Sequence, residues 1–528
     1  MKRYKFLVIP LLGVSLLFSA CDKSFLDLYP ETTITSESFY KTTENFNQAL
    51  MATYEGFRYW VTTGLFLDEQ RSDNAFYTIY AGDRGPYNAF EKPALFIDDP
   101  VSANYGGGPI RNRWIYMYSN IAKLNTILDR VDATEISDAD KSSIKAEALF
   151  LRASYYFILV RSFGGVPLNI HEVLNESDAF LAKSTEDECY AQILDDLNTA
   201  ISLGLPIPVK FPDDNTGRAT MGAARMLRAY VNMSKSKPDY STAESDLKEI
   251  TKMHYGLLDN YEDIFNPNNK NMKETILDVQ YTEDGTGSQY CRFPWKFIPK
   301  CDNTVDMMGV GGSNYAGTDV SGGWVVPTEE MINSYESGDK RLLPSICVVE
   351  GTLKGDAFTF EKIINDPRNY VCPTGKAFRY MCRKYYHPPY TYSLKAKENF
   401  PVYRYAGALL LLSECLVQEG KASEALPYIN QVRVRAGLTP LSNCTLKNVS
   451  DEMRHELAFE NRRWDDLKRT GLVKQVMTAH GEYIKSLYPW VKSTNNDGCY
   501  KIDDFRMIYA IPTRELDINN KLTQNPGY

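Results

Sequence analysis

The residues of this chain best suited to chemistry are aromatic and planar-polar, and they fall in two stretches without regular periodicity. The first holds Asp68, Arg71, Asp73, Asn74, Tyr77, Tyr80, Tyr87 and Asn88; the second holds Tyr290, Trp295, Tyr315 and Trp324. Flat rings flanked by amide, carboxylate or guanidinium groups suit a ligand with apolar C–H faces and hydroxyl edges, as a sugar ring has. Trp324 follows Gly322-Gly323, a pair that lets the backbone turn and leaves a large ring unshielded. Asp73, Asn74, Tyr77, Tyr80, Tyr87, Asn88, Tyr290, Trp295, Tyr315 and Trp324 are the expected ligand contacts, with loop packing as the competing role for each.

Other constellations fail on spacing. His455-Glu456 invites a zinc-protease reading, but the second histidine of that motif would fall on Phe459. Arg454, Glu456, Glu460, Arg462, Arg463 and Asp466 read instead as helix-surface ion pairs, with Glu460–Arg463 and Asp466–Arg469 three apart. Gly106-Gly107-Gly108-Pro109 lacks the Lys-Ser/Thr of a phosphate loop and reads as a turn. The five histidines are dispersed, and no cysteine pair has zinc-ligand spacing, so neither a metal site nor another cofactor is expected. Among 67 acidic residues nothing singles out a hydrolytic pair.

The chain start speaks to location. Lys2, Arg3 and Lys5 precede an apolar run from Phe6 to Phe18, followed by Ser19-Ala20-Cys21. A basic start, a short apolar core and small residues before the cut make a secretory signal over residues 1–20. The segment resembles a bacterial lipoprotein signal, which would make Cys21 the lipidated first residue of the mature chain. The full chain carries a net charge of −8, and losing the signal makes it more acidic. That balance gives no electrostatic footprint for nucleic acid. Nine further cysteines are scattered; in an exported protein Cys291–Cys301 and Cys372–Cys382 are the nearest candidates for disulfides.

Helical periodicity must position the candidate residues. Residues 21–40 read as a polar tether. Phe46, Leu50, Thr53 and Phe57 share one helix face, as do Trp114, Tyr118, Ile121 and Leu128. Ser137 and Thr185, the latter with Glu188 three residues on, cap two longer helices. Residues 256–399 are irregular, apart from strand-like pieces such as Thr275–Val279, and read as a loop-rich insertion. Helices return near Tyr403, and Met453, Leu457, Glu460, Trp464 and Leu467 predict one helix from Ser450 to Arg469. The expectation is a mainly α, tetratricopeptide-like helical-repeat scaffold from 41–255 and 400–528, carrying the insertion.

Several landmarks lie in order along the mature chain. They are Phe25-Leu26-Asp27 after Cys21, Arg161-Ser162-Phe163-Gly164-Gly165, Asn430-Gln431-Val432-Arg433, Arg454 to Gly471, and the tail Leu522 to Tyr528. Together they resemble the SusD/RagB family of outer-membrane glycan-binding lipoproteins. The resemblance implies a tetratricopeptide-like scaffold with a loop-rich ligand region, and binding rather than hydrolysis. It implies a lipid-anchored, surface-exposed position on the outer membrane, and a SusC-like TonB-dependent transporter as partner. A surface glycoside hydrolase with unrecognised carboxylates and a peptide-capturing importer component of the same kind remain open.

Overall fold

The computed structural model describes residues 39–77, 88–214, 217–283, 289–311, 322–493 and 497–528. The expected signal segment, Cys21 and the expected tether up to residue 38 lie outside the described residues, as do Tyr80, Tyr87 and Tyr315. The architecture is mainly α, a helical-repeat scaffold of tetratricopeptide type with a loop-rich insertion.

The scaffold begins with α1 (Thr43–Thr53) and α2 (Glu55–Gly64), which runs into a π-helical turn, Leu65–Glu69, whose five residues are all buried. Short helices aside, the scaffold continues with α3 (Pro109–Val131), α4 (Asp138–Phe163), α5 (Glu186–Leu203), α6 (Met221–Ser234) and α7 (Tyr240–Thr251). Their starts are set locally. Ser137 Oγ accepts from Asp140 N at 3.1 Å. Thr185 and Glu188 bond reciprocally, Glu188 N to Thr185 Oγ1 at 3.2 Å and Thr185 N to Glu188 Oε2 at 2.7 Å. Gly164 ends α4 at φ 70°, where a Cβ would be strained. Each of these helices packs on the next. The series resumes with α8 (Tyr405–Gln418), which packs against both α7 and α9 (Ala422–Arg435). The insertion therefore leaves and re-enters one continuous helical stack.

Short sheets organise the insertion. Strand β1 (Ala75–Phe76) precedes it; β2 (Thr275–Val279), β3 (Val326–Pro327), β4 (Ile346–Lys354), β5 (Ala357–Ile364), β6 (Ala377–Cys382) and β7 (Phe400–Arg404) follow. β2 pairs antiparallel with β7, which brings the two ends of the insertion side by side. β4 lies between β5 and β6 in a three-stranded antiparallel sheet. Only β2 was legible in advance. Pro367, Pro373 and Gly375 break up the pattern between β5 and β6.

Beyond Arg435 the structure corrects the expected helix. Residues 446–469 form two helices, α10 (Leu446–Glu456) and α11 (Arg463–Arg469), and α12 (Val473–Leu487) follows. Phe459 and Asn461 between them take φ of 64° and 56°. The buried Glu69 carboxylate holds that turn, accepting from Phe459 N at 3.0 Å and Asn461 N at 3.1 Å. Trp464 and Leu467 still point inward, so the apolar spacing continues across the break.

The charged residues of this region are not a solvated surface. Arg404 is buried and meets Glu274, Glu456 and Glu460 at 2.9, 3.0 and 2.8 Å. Arg435 and Arg341 also reach Glu456. Asp466–Arg469 does pair, at 2.7 Å, but buried; Glu460 turns to Arg404 and Lys384, and Arg463 to Asp73. The nine described cysteines are all free, and Cys415 is buried in α8.

Candidate functional site

The two aromatic stretches meet in space. β1 pairs antiparallel with β3, Ala75 opposite Pro327 and Phe76 opposite Val326, and Thr328 N donates to Asn74 O at 3.3 Å. This ribbon joins segments about 250 residues apart in sequence, which is a long-range pairing that local propensity does not encode.

A cleft of about 370 Å³ opens beside the ribbon, at the small end of the range for ligand pockets. Phe76 and Tyr77 line it from β1 and the residue after it, Val326 to Glu329 from β3 and the two residues after it, Phe378, Arg379 and Tyr380 from β6, and Tyr483, Ile484, Leu487 and Tyr488 from the end of α12 and the residue that caps it. Its rings are ordered against one another. Phe76 stacks on Tyr77 at 4.4 Å and 26°, and on Tyr488 at 5.7 Å and 21°. Phe378 and Tyr380 stand edge to face at 5.4 Å. Burial raises the Tyr488 pKa and the Arg379 guanidinium opposes it, so these two groups share the cleft electrostatically. Arg379 Nη1 donates to Phe378 O at 2.8 Å. Rings with hydroxyl, guanidinium and carboxylate groups at their edges can hold a polyhydroxylated ring by apolar contact and hydrogen bonds.

Trp324 lies two residues before β3 and is partly exposed. Its ring packs on Phe66 at 5.5 Å and Phe90 at 5.7 Å, and Phe90 in turn meets Tyr105. The preceding glycines make this possible. A Cβ on Gly322 would lie 2.5 Å from Pro299 O, and Gly323 takes φ of 80°. Gln70 Nε2 anchors the tryptophan's backbone carbonyl at 2.8 Å.

Burial removes other expected contacts from any ligand face. Asp73 pairs with Arg463 at 2.7 Å and Arg454 at 3.0 Å, and Asn74 Nδ2 donates to Glu69 at 2.9 Å. Trp295, 2 % exposed, packs on Tyr390 inside the insertion. Asp68 and Arg71 are also internal, paired with Arg113 and Asp98. Ionic side chains found positions of mutual charge satisfaction that alternation and polarity alone did not reveal. Tyr290 is partly exposed, with Arg292 and Lys395 over its ring. Asn88 begins the helix Asn88–Leu95.

The buried acids near the ribbon and in the Arg404 cluster titrate in opposite directions. Burial pushes Glu69 up to about 7, against the pull of Asn74 and two backbone N–H groups, and Asp278 likewise up to about 7. Burial would also raise Asp73, but Arg454 and Arg463 hold it well below the usual carboxylate range; Arg435, Arg404 and Arg341 do the same to Glu456. A raised acid contributes stability that is lost as pH climbs through its folded pKa, and a lowered one contributes stability that is lost as pH falls below about 4. Melting temperature should therefore peak at about pH 4–5 and decline on both sides. A melting temperature that still rises between pH 5 and 7.5 would contradict these assignments.

A family model described as "SusD family" matches residues 273–528, and one described as "Starch-binding associating with outer membrane" matches 25–231. Between them they take in most of the first half of the scaffold, all of the second, and both ribbon strands. The chain belongs to the SusD/RagB family. The starch-binding protein SusD of Bacteroides thetaiotaomicron is 26% identical over 82% of this chain and 81% of its own, and a SusD-like protein of Bacteroides ovatus is 26% identical over 86% and 80%. Among solved structures, a laminarin binding SusD-like protein superposes with a TM-score of 0.72 at 24% identity, covering 93% of this chain and all of that one. Surface glycan-binding protein A from B. thetaiotaomicron in complex with laminarihexaose gives 0.69 at 21% identity, over 91% of this chain. These likenesses fix the SusD-like fold.

Sequence reasoning missed half of the cleft. Phe378 and Tyr380 sit two apart on one face of β6, a signal visible in the sequence once the strand is recognised. Tyr483, in α12, and Tyr488, just after it, lie far from both predicted stretches, and only the tertiary fold connects them to Phe76.

Proposed function

We propose that this SusD-like chain captures oligosaccharides or polysaccharides at the cell surface and passes them to a SusC-like TonB-dependent transporter, without cleaving them. Cys21 would carry the lipid that holds it to the outer membrane. The observation that carries the reading is the convergence of two distant aromatic stretches on the β1–β3 ribbon, beside a cleft built from four segments, three of which supply aromatic rings. Relatives named for starch and laminarin binding support the ligand class. Trp324 and the cleft residues Tyr380 and Tyr488 are the proposed contacts, with Tyr77, which lines the cleft but is as buried as Trp295, forming part of its wall. Tyr80, Tyr87, Asn88 and Tyr315 belong to the same two stretches and remain part of the proposal.

Trp324→Ala tests it. In a soluble form starting after Cys21, the substitution should weaken polysaccharide binding by about 1–3 kcal/mol, as loss of an aromatic anchor does. The melting temperature should change little, because the ring is partly exposed where it packs on Phe66 and Phe90. Unchanged affinity with a lower melting temperature would make Trp324 a packing residue.

A further inference from the structure

We propose that Arg454, on α10, is the positioning residue of the aromatic cleft. The proposal rests on the binding reading above and assigns a role to a side chain that does not line the cleft. Arg454 is buried, and one guanidinium reaches two segments distant in sequence. Its Nη2 donates to Asp73 O at 2.5 Å, its Nε to Asn74 Oδ1 at 3.2 Å, and its Nη1 meets Glu330 Oε1 at 3.2 Å. Asp73 and Asn74 lead directly into β1 and so place Phe76 and Tyr77. Glu330 follows Glu329 at the cleft edge. Its other oxygen, Oε2, lies 3.3 Å from Nδ1 of His480 on α12, one turn before Tyr483. A single planar fork thus ties three of the segments that build the cleft, a geometry that a lysine, with its point charge, cannot reproduce.

The same contacts show that the fold does not depend on Arg454. Asp73 keeps both bonds from Arg463, Nε at 2.7 Å and Nη2 at 3.0 Å, so it is not stranded as a bare buried charge. Glu330 keeps His480 and is partly exposed. A separate tie holds α10 to the insertion, His455 Nε2 to Ser334 Oγ at 3.0 Å with Tyr335 stacked on the imidazole. Removing Arg454 therefore loosens the register of the cleft walls more than it unfolds the chain.

The test compares wild type, Arg454→Met, Arg454→Lys and Glu330→Gln by hydrogen–deuterium exchange and by affinity for laminarin and for starch. In Arg454→Met, exchange should quicken in 73–77, 326–334 and 480–488 but not in α4, and affinity should fall about tenfold, as when one charge-assisted contact is lost. Arg454→Lys should resemble it. Glu330→Gln retains an acceptor for Nη1 and should stay close to wild type. Unchanged exchange in those three segments, acceleration spread over the scaffold, or unchanged affinity despite local loosening would each overturn the proposal. If wild type binds neither polysaccharide, the binding of these two glycans fails, while the exchange pattern still decides whether Arg454 sets the register.

Discussion

Arg404→Met is expected to lower folding stability by about 3–5 kcal/mol, the cost of removing one partner from a buried charge cluster. Arg404 spends its full set of donors: Nε on Glu460, Nη1 on Glu274 and Glu456, and Nη2 on the Glu456 carbonyl and Glu460. It lies at the end of β7, where the insertion rejoins the scaffold, and its partners come from the residue before β2, the end of α10 and the turn that follows. Without it, three buried carboxylates lean on Arg435, Arg341 and Lys384, which already serve them. Methionine fills the volume but neutralises nothing. A denaturation midpoint equal to that of wild type would mean that the cluster relaxes or that water reaches it.

Trp464→Ala should cost a similar amount, about 3–5 kcal/mol, by emptying a large buried volume. Trp464 is 1 % exposed and sits in a second hydrophobic cluster with Phe96, Leu467, Met477 and Tyr500. Phe96 meets it edge to face at 5.5 Å, and Arg71 lies over its ring at 5.0 Å. Its indole N–H has no acceptor among the described residues, so the residue's role is volume and ring contact rather than hydrogen bonding. Trp464→Phe should accordingly recover much of the loss. An unchanged melting temperature for the alanine variant would contradict the inward placement of this helix face.

What the sequence revealed was local. Thr185 with Glu188, Ser137 before α4 and the apolar stripes of the long helices depend on residues within a turn of one another, and the structure repeats them. Non-local effects escaped. The break between α10 and α11 is held by Glu69, almost 400 residues away, so periodicity ran straight through it. The same distance hid Asp73: in a polar, aromatic stretch it looks like a ligand contact, yet two arginines from α10 and α11 draw it inside. For the candidate site, the sequence marks the two stretches but not their meeting at the ribbon, nor the rings that β6 and the end of α12 add to the cleft. Burial of an aromatic ring is decided by what packs on it: Gly322-Gly323 marks Trp324 as unshielded, whereas nothing near Trp295 in sequence marks its burial against Tyr390.

The most direct test of glycan capture without cleavage is affinity electrophoresis of the soluble form, starting after Cys21, through native gels containing plant, fungal or host polysaccharides. The predicted result is retardation by at least one polysaccharide whose chain length is unchanged after incubation. No retardation by any of them would contradict the capture role, and shortened chains would contradict its non-catalytic character.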